Sequence, residues 1–263
     1  MQAMPPRVVV TTSWDDEDRS GLRLADLLQS CRLPGTFYVP TGRLGSASCL
    51  TPEDLRRLNA DGFEIGAHTV SHAILPTLGP RELAAEVGEC KEQLQQILGR
   101  EVPMFCYPKG RFSSRVTSAV RRAGYRGART TRMLASSGAF YPFALPVTIQ
   151  AFPHRPSNYI RNLVRLGSLP TLLRVTPDLL RFEDWSRLGK LMFDRVVKSG
   201  GVWHLYGHSW EIEKLNLWAQ LEDMFEYVAN RSGVIYATNG QLLSELGATD
   251  SSRRDNVASV LPS

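Results

Sequence analysis

Cysteine and histidine are scarce in this chain: four Cys and five His among 263 residues. The cysteines, Cys31, Cys49, Cys90 and Cys106, form no C-x-x-C pair, so they read as free thiols in a reducing compartment, not as a disulfide frame. No apolar run approaches the roughly 20 residues that a membrane span needs, so no transmembrane segment is expected. Met1 to Arg7 has no charged stretch leading into an apolar one, so no signal peptide is expected either. These absences lead to the expectation of a cytoplasmic protein. There is no internal repeat, no G-x-G-x-x-G and no Walker pattern. No finger, helix-turn-helix or aromatic-basic strand motif is present, so no nucleic acid is expected as a partner despite a net charge of +5. The basic excess lies in scattered arginines and reads as solvated surface, although it would also suit an anionic substrate.

What remains is ordinary globular material, 43% hydrophobic and 22% charged. Strand and helix signals alternate. Arg7 to Thr12, Gly35 to Val39, Phe63 to Ala67, Val102 to Tyr107 and Tyr125 to Ala128 read as short strands. Between them lie Gly21 to Ser30, a helix opened by Thr51-Pro52-Glu53-Asp54, a long helix from Pro80 to about Leu98, and one capped by Ser113. Repeated βα units argue for parallel strands with helices outside. Further on, Leu145 to Ile149, Val202 to Tyr206 and Val234 to Ala237 read as strands, with a helix from about Lys214 to Asn230. Asn158 to Leu166 and Leu172 to Phe182 are apolar-basic helical stretches; snorkelling arginines explain them more simply than a lipid-facing surface does. The expected architecture is one domain over residues 1–246, with 247–263 a frayed polar tail.

Two clusters carry chemistry. His68 and His72 stand four apart in Gly66-Ala67-His68-Thr69-Val70-Ser71-His72, at the end of an apolar strand. Two neutral imidazoles at that spacing can close on one divalent ion. The pattern is not H-E-x-x-H, because Thr69 stands where the Glu would be. Upstream, Asp15-Asp16-Glu17-Asp18 follows the first strand. Capping a helix needs one or two acids, and Asp18 suits that role. Two adjacent carboxylates can divide the labour, one as ligand and one as base on an activated water.

Together these clusters make the chain resemble the polysaccharide deacetylases of the NodB-homology type, carbohydrate esterase family four. The resemblance rests on Ser13-Trp14-Asp15-Asp16, on His68-Thr69-Val70-Ser71-His72, on Cys106-Tyr107-Pro108-Lys109-Gly110, and on Trp203 to His208 near the C-terminus. It implies a distorted (β/α) barrel of about seven parallel strands. It also implies metal-dependent removal of an N-acetyl or other small acyl group from an amino sugar, free or carried on a nucleotide, lipid or glycan. The variations to consider are a deformylase or deacetylase of a lipid-linked sugar, a cyclic-amide hydrolase, and a catalytically weak carbohydrate-binding barrel. Under this resemblance Asp16, His68 and His72 hold a divalent metal, zinc before others, and Asp15 is the general base. The turn Tyr107, Pro108, Lys109 contacts substrate and offers backbone N–H to the oxyanion.

The chain departs from the family at three points. Cys106 stands where many members have the Arg that holds the catalytic Asp. Lys109 stands where they have Tyr. The D-x-x-D-W motif that supports the acidic histidine finds no match, and Asp184-Trp185 is not forced into one. For the general acid, His204 and His208 share strand parity, so parity does not choose between them. Gly207 ends the strand and puts His208 at the rim where the other motifs end, so His208 is taken as the acid and His204 as a buried structural residue.

Overall fold

The computed structural model describes residues 7–16, 18–136, 140–166 and 184–247. The amphipathic stretch 172–182, the first six residues and all but the first residue of the expected tail lie outside these. Eight strands are seen among the described residues: β1 Val8–Asp15, β2 Thr36–Val39, β3 Glu64–Ala67, β4 Met104–Cys106, β5 Gly127–Arg129, β6 Ile149–Gln150, β7 Gly201–Gly207 and β8 Val234–Tyr236. Every ladder between them is parallel. They run in the order β5-β4-β3-β2-β1-β7-β6, with β8 paired to the lower end of β1. The helices are α1 Ser20–Ser30, α2 Pro52–Ala60, α3 Pro80–Leu98, α4 Ser114–Arg122, α5 Pro156–Leu166, α6 Trp185–Ser199, α7 Ser209–Lys214, α8 Trp218–Val228 and α9 Asn239–Gly247. This is the expected distorted (β/α) barrel.

Side-chain alternation sorts the strands into an inside and an outside. Val8, Val10 and Trp14, with Phe37, Val39, Ile65, Phe105, Trp203 and Leu205, join the large core between sheet and helices. The opposite parity, Val9, Tyr38, Met104, Cys106 and Val202, fills a smaller cluster inside the barrel. The floor is plugged by the start of α9. Asn239, fully buried, accepts from Thr11 Oγ1 (3.0 Å) and donates to Tyr38 Oη (2.9 Å), while the Gly240 N–H donates to Glu64 (2.9 Å). One mouth is thereby closed with hydrogen bonds, and the chemistry falls to the other, where the strands end.

Among the boundaries that differ from expectation, three change the path of the chain. β5 begins two residues later, because after Gly124 the Tyr125 side chain turns into the helix layer and donates to the Val87 carbonyl (3.0 Å). Only Ile149 and Gln150 of the stretch from Leu145 form a ladder strand. The Leu145 N–H donates to Ala128 of β5 and the Thr148 N–H to His204 of β7, so this stretch laces the two sides of the gap where the barrel fails to close. The helix expected over 214–230 begins four residues later, as α8, because Asn216, with a left-handed φ of 52°, separates it from the short α7, which ends at Lys214. Thr51 does cap α2, in a full capping box with Asp54, an arrangement worth about 1 kcal/mol.

Candidate active site

The inward parity that fills the barrel carries five chemically active residues to its upper rim. Asp15 ends β1, His68 follows β3, Cys106 ends β4, Arg129 ends β5 and His208 follows β7. Alternation would send Asp16 to the opposite face from Asp15. Asp16 instead has a φ of 56°, which breaks the alternation, and its carboxylate comes to His72. Two consecutive carboxylates therefore serve one site.

Asp15 is 3% exposed and forms an ion pair with Arg129, which is fully buried. Burial would raise the Asp15 carboxyl, but the Arg129 guanidinium, helped by His68 and His208, overrides it and holds it at about 2. Asp15 is thus ionised at any working pH. Arg129 Nε and Nη1 find no acceptor among the described residues. The guanidinium instead lies 4.7 Å from the ring centre of Tyr206 and 5.3 Å from that of Tyr38, a contact that offsets part of the desolvation. The Cys106 thiol is pushed well up by burial and sits 3.6 Å from Asp15 Oδ2. Arg129 was not singled out by any sequence motif, yet it is the direct ladder partner of Cys106. The guanidinium missing from β4 stands one strand over, at the same height.

Asp16, His68 and His72 offer three ligand atoms that all lie within 4.8 Å of one another. His68 Nδ1 is hydrogen-bonded to the Cys106 carbonyl (2.8 Å), so Nδ1 carries the proton and the Nε2 lone pair is left to ligate. Burial lowers the pKa of both histidines against the pull of Asp15 and, for His68, of Asp16. Neutral imidazole is the ligating form. One carboxylate and two neutral imidazoles in this arrangement fit a three-ligand site for a divalent ion. Arg43 reaches the other Asp16 oxygen at 3.3 Å.

The two C-terminal histidines have different surroundings. His204 is buried between Ser13 Oγ (2.8 Å) and the Pro146 carbonyl (3.1 Å), and burial drives its pKa down to about 3. His208 pairs through Nδ1 with Glu211 (2.6 Å). Burial would lower His208, but Glu211, then Asp15, raise it above its ordinary value. Glu211 accepts in turn from Gln150 Nε2 (3.2 Å), whose Oε1 receives Tyr206 Oη (2.5 Å) and His154 Nε2 (2.7 Å). Glu211 thus occupies the supporting position for which no D-x-x-D-W motif was found. Asp184 is elsewhere, capping α6 through the Ser186 N–H. A His-x-x-Glu spacing at the strand-to-helix turn was the available signal.

At the third motif, the Tyr107 N–H donates to the Arg129 carbonyl, and its hydroxyl donates to the Phe143 carbonyl at 3.0 Å. Pro108 has no N–H. Of the three residues expected to face an oxyanion, Lys109 is left as the backbone donor, in a left-handed conformation (φ 53°).

Comparison with known proteins bears on this geometry. Residues 2–128, just under half of the chain, match the family model for polysaccharide deacetylase. A peptidoglycan-N-acetylmuramic acid deacetylase of Bacillus subtilis, PdaA, is 29% identical over 105 residues, 40% of this chain and 38% of its own length. The chain spans less than half the length of the curated relatives it matches. Among solved structures, the Streptococcus pyogenes deacetylase PplD in complex with acetate superposes with a TM-score of 0.53 and 25% identity, over 61% of this chain and 72% of that one. The chitin deacetylase of Colletotrichum lindemuthianum shares the fold over 92% of this chain and 89% of its own, with a TM-score of 0.57 and 18% identity.

Proposed function

We propose that this protein is a metal-dependent hydrolase that removes an N-acetyl or similarly small acyl group from an amino sugar. The observation that carries the reading is the gathering of Asp15, Asp16, His68, His72 and His208 on one rim of the barrel. Asp16, His68 and His72 are the ligands of the ion, and zinc suits two imidazoles and a carboxylate best among common ions. Bound there, the ion supplies Lewis acidity that polarises the acyl carbonyl and lowers the pKa of the attacking water. Asp15, ionised and oriented by Arg129, accepts the water's proton. His208, whose charged form the neighbouring Glu211 favours, donates to the leaving amine. The Lys109 N–H donates to the developing oxyanion. The glycan named for the Bacillus subtilis relative makes an acetylated amino sugar the first substrate to try, whether polymeric, nucleotide-linked or lipid-linked. Four free cysteines support a reducing, cytoplasmic location, and cell fractionation tests it.

Acetate release from a panel of acetylated and formylated amino sugars in these three carrier forms tests the reaction. No release from any of them by metal-loaded protein would overturn it. His68→Ala is expected to lose the ion. Elemental analysis showing wild-type occupancy in that variant would remove the ligand assignment.

The pH profile tests the acid. A histidine that donates a proton must be charged, so activity falls as pH rises through its pKa. Glu211→Gln removes a charge that raises that pKa. The basic limb of kcat/KM is therefore expected to move to lower pH, by about one unit. An unmoved limb would mean that His208 is not the titrating acid.

A further inference from the structure

The loop that carries His68 and His72 is an awkward piece of backbone. Thr69 and His72 both have left-handed φ values, 69° and 62°, and neither has glycine's freedom to adopt them cheaply. Something must hold the four-residue span in shape. On one side the single 3-10 turn Thr41–Arg43 after β2 does part of this: the Thr41 N–H donates to the Thr69 carbonyl (3.2 Å) and the Gly42 N–H to the Val70 carbonyl (2.8 Å). On the other side stands a single carboxylate, Glu86, from the second turn of α3. Its Oε2 accepts from the backbone N–H of both Val70 and Ser71, each at 2.9 Å, and its Oε1 accepts from the Ser71 hydroxyl at 2.6 Å. Both oxygens are thereby committed to Val70 and Ser71, two of the three residues between the histidines.

We infer that Glu86 is a positioning residue for the metal centre, a clamp that sets the His68–His72 separation before any ion binds. The inference rests on the reading of Asp16, His68 and His72 as ligands. Glu86 is not itself a ligand, since its oxygens are engaged by Val70 and Ser71. Hydrogen bonds from backbone N–H to an ionised carboxylate are the strong kind, and two of them on one oxygen fix the direction of successive peptide planes. Without them the span relaxes toward right-handed conformations, and the ion must then restore the strained loop from its own binding free energy. The ion's affinity therefore falls even though every ligand is still present.

The test reads metal affinity and needs no substrate. Zinc is titrated against a competing chelator with metal-free wild type, Glu86→Ala, Glu86→Gln and Ser71→Ala, and each metal-free protein is melted in parallel. Loss of partners that orient ligands typically costs about 10–100-fold in metal affinity, and Glu86→Ala is expected to raise the Kd by that amount. Glu86→Gln retains an amide oxygen for the two N–H groups and is expected to recover much of the loss. Ser71→Ala removes one bond of three without touching α3, and a small rise in Kd is expected; it serves as the readout if Glu86→Ala does not fold. A lowered melting temperature with unchanged Kd in Glu86→Ala would overturn the inference, leaving Glu86 a merely structural link. Wild-type zinc affinity in His68→Ala would instead show that the ligand reading had failed, a result distinguishable from failure of the clamp.

Discussion

Asp15→Asn is expected to lower turnover by on the order of 10²-fold or more while leaving metal occupancy at the wild-type level. The neighbouring change Asp16→Asn is expected to lose the ion first and activity with it. The separation follows from what each carboxylate touches. Asp15 is tied to Arg129 and lies beside Cys106. Asp16 faces His72 Nε2 at 3.4 Å and belongs to the three-ligand group. Asparagine at position 15 keeps the shape and one acceptor for Arg129 but has no charge to accept a proton. The measurement pairs elemental analysis with turnover for both variants. Loss of metal in Asp15→Asn with retention in Asp16→Asn would mean that the two roles are exchanged. A thermal melt of Asp15→Asn belongs with it, because Arg129 would then be a buried cation with no counter-charge, and such pairs, when broken, cost about 3–5 kcal/mol.

How much of this was readable without coordinates differs from residue to residue. Asp15, Asp16, His68 and His72 stand in short motifs at the ends of apolar strands, and strand ends meet at one mouth of a barrel, so the chain order alone brought them together. The choice of His208 over His204 rested on where β7 ends. The structure places His204 inside, between Ser13 and Pro146, and His208 beside Glu211. Arg129 was not readable in the same way. It closes a three-residue strand with no motif around it, and its partner Asp15 lies 114 positions away. Its signal was indirect: a charged residue ending the strand beside the one that has Cys106 in place of Arg. Register decides such a case, and register between β4 and β5 is a property of the folded sheet. The stretch 145–149 reads as a full strand because most of its residues are apolar or β-branched, while the gap in the barrel makes them hydrogen-bond to two different neighbours. Nothing in the sequence marks Glu86, which on α3 reads as one more solvated helix carboxylate.

The arginine on β5 leads to the second large effect. Arg129→Ala is expected to abolish most activity near neutral pH and to destabilise the fold by about 3–5 kcal/mol, because it leaves the Asp15 carboxylate buried without its cation. In the wild type burial raises the Asp15 pKa and Arg129 more than offsets it, giving about 2. That folded value lies below the roughly 3.9 of an unfolded aspartate, so the pair stabilises the fold above that pH and the contribution is lost as pH falls toward 2. Remove Arg129 and the burial contribution loses its main opponent, so the Asp15 pKa rises. A larger fraction is then protonated, and a protonated carboxyl is no base. Activity in Arg129→Ala should therefore recover as pH is raised, on an acid limb that the wild type does not show in that range. Arg129→Lys should fall between, since a lysine supplies the charge but not the planar, multiply donating head that lies between Tyr38 and Tyr206. The sharper test moves the group back across the ladder. Cys106 and Arg129 face each other in register, and the Cys106 sulfur already sits 3.6 Å from Asp15 Oδ2. Cys106→Arg placed in the Arg129→Ala background restores a guanidinium at the height of Asp15 from the next strand. The double variant is expected to regain activity and melting temperature over Arg129→Ala alone. Equal loss in the single and double variants, with both folded and metal-loaded, would show that what Asp15 requires is the particular approach from β5 and not a guanidinium at that level of the barrel.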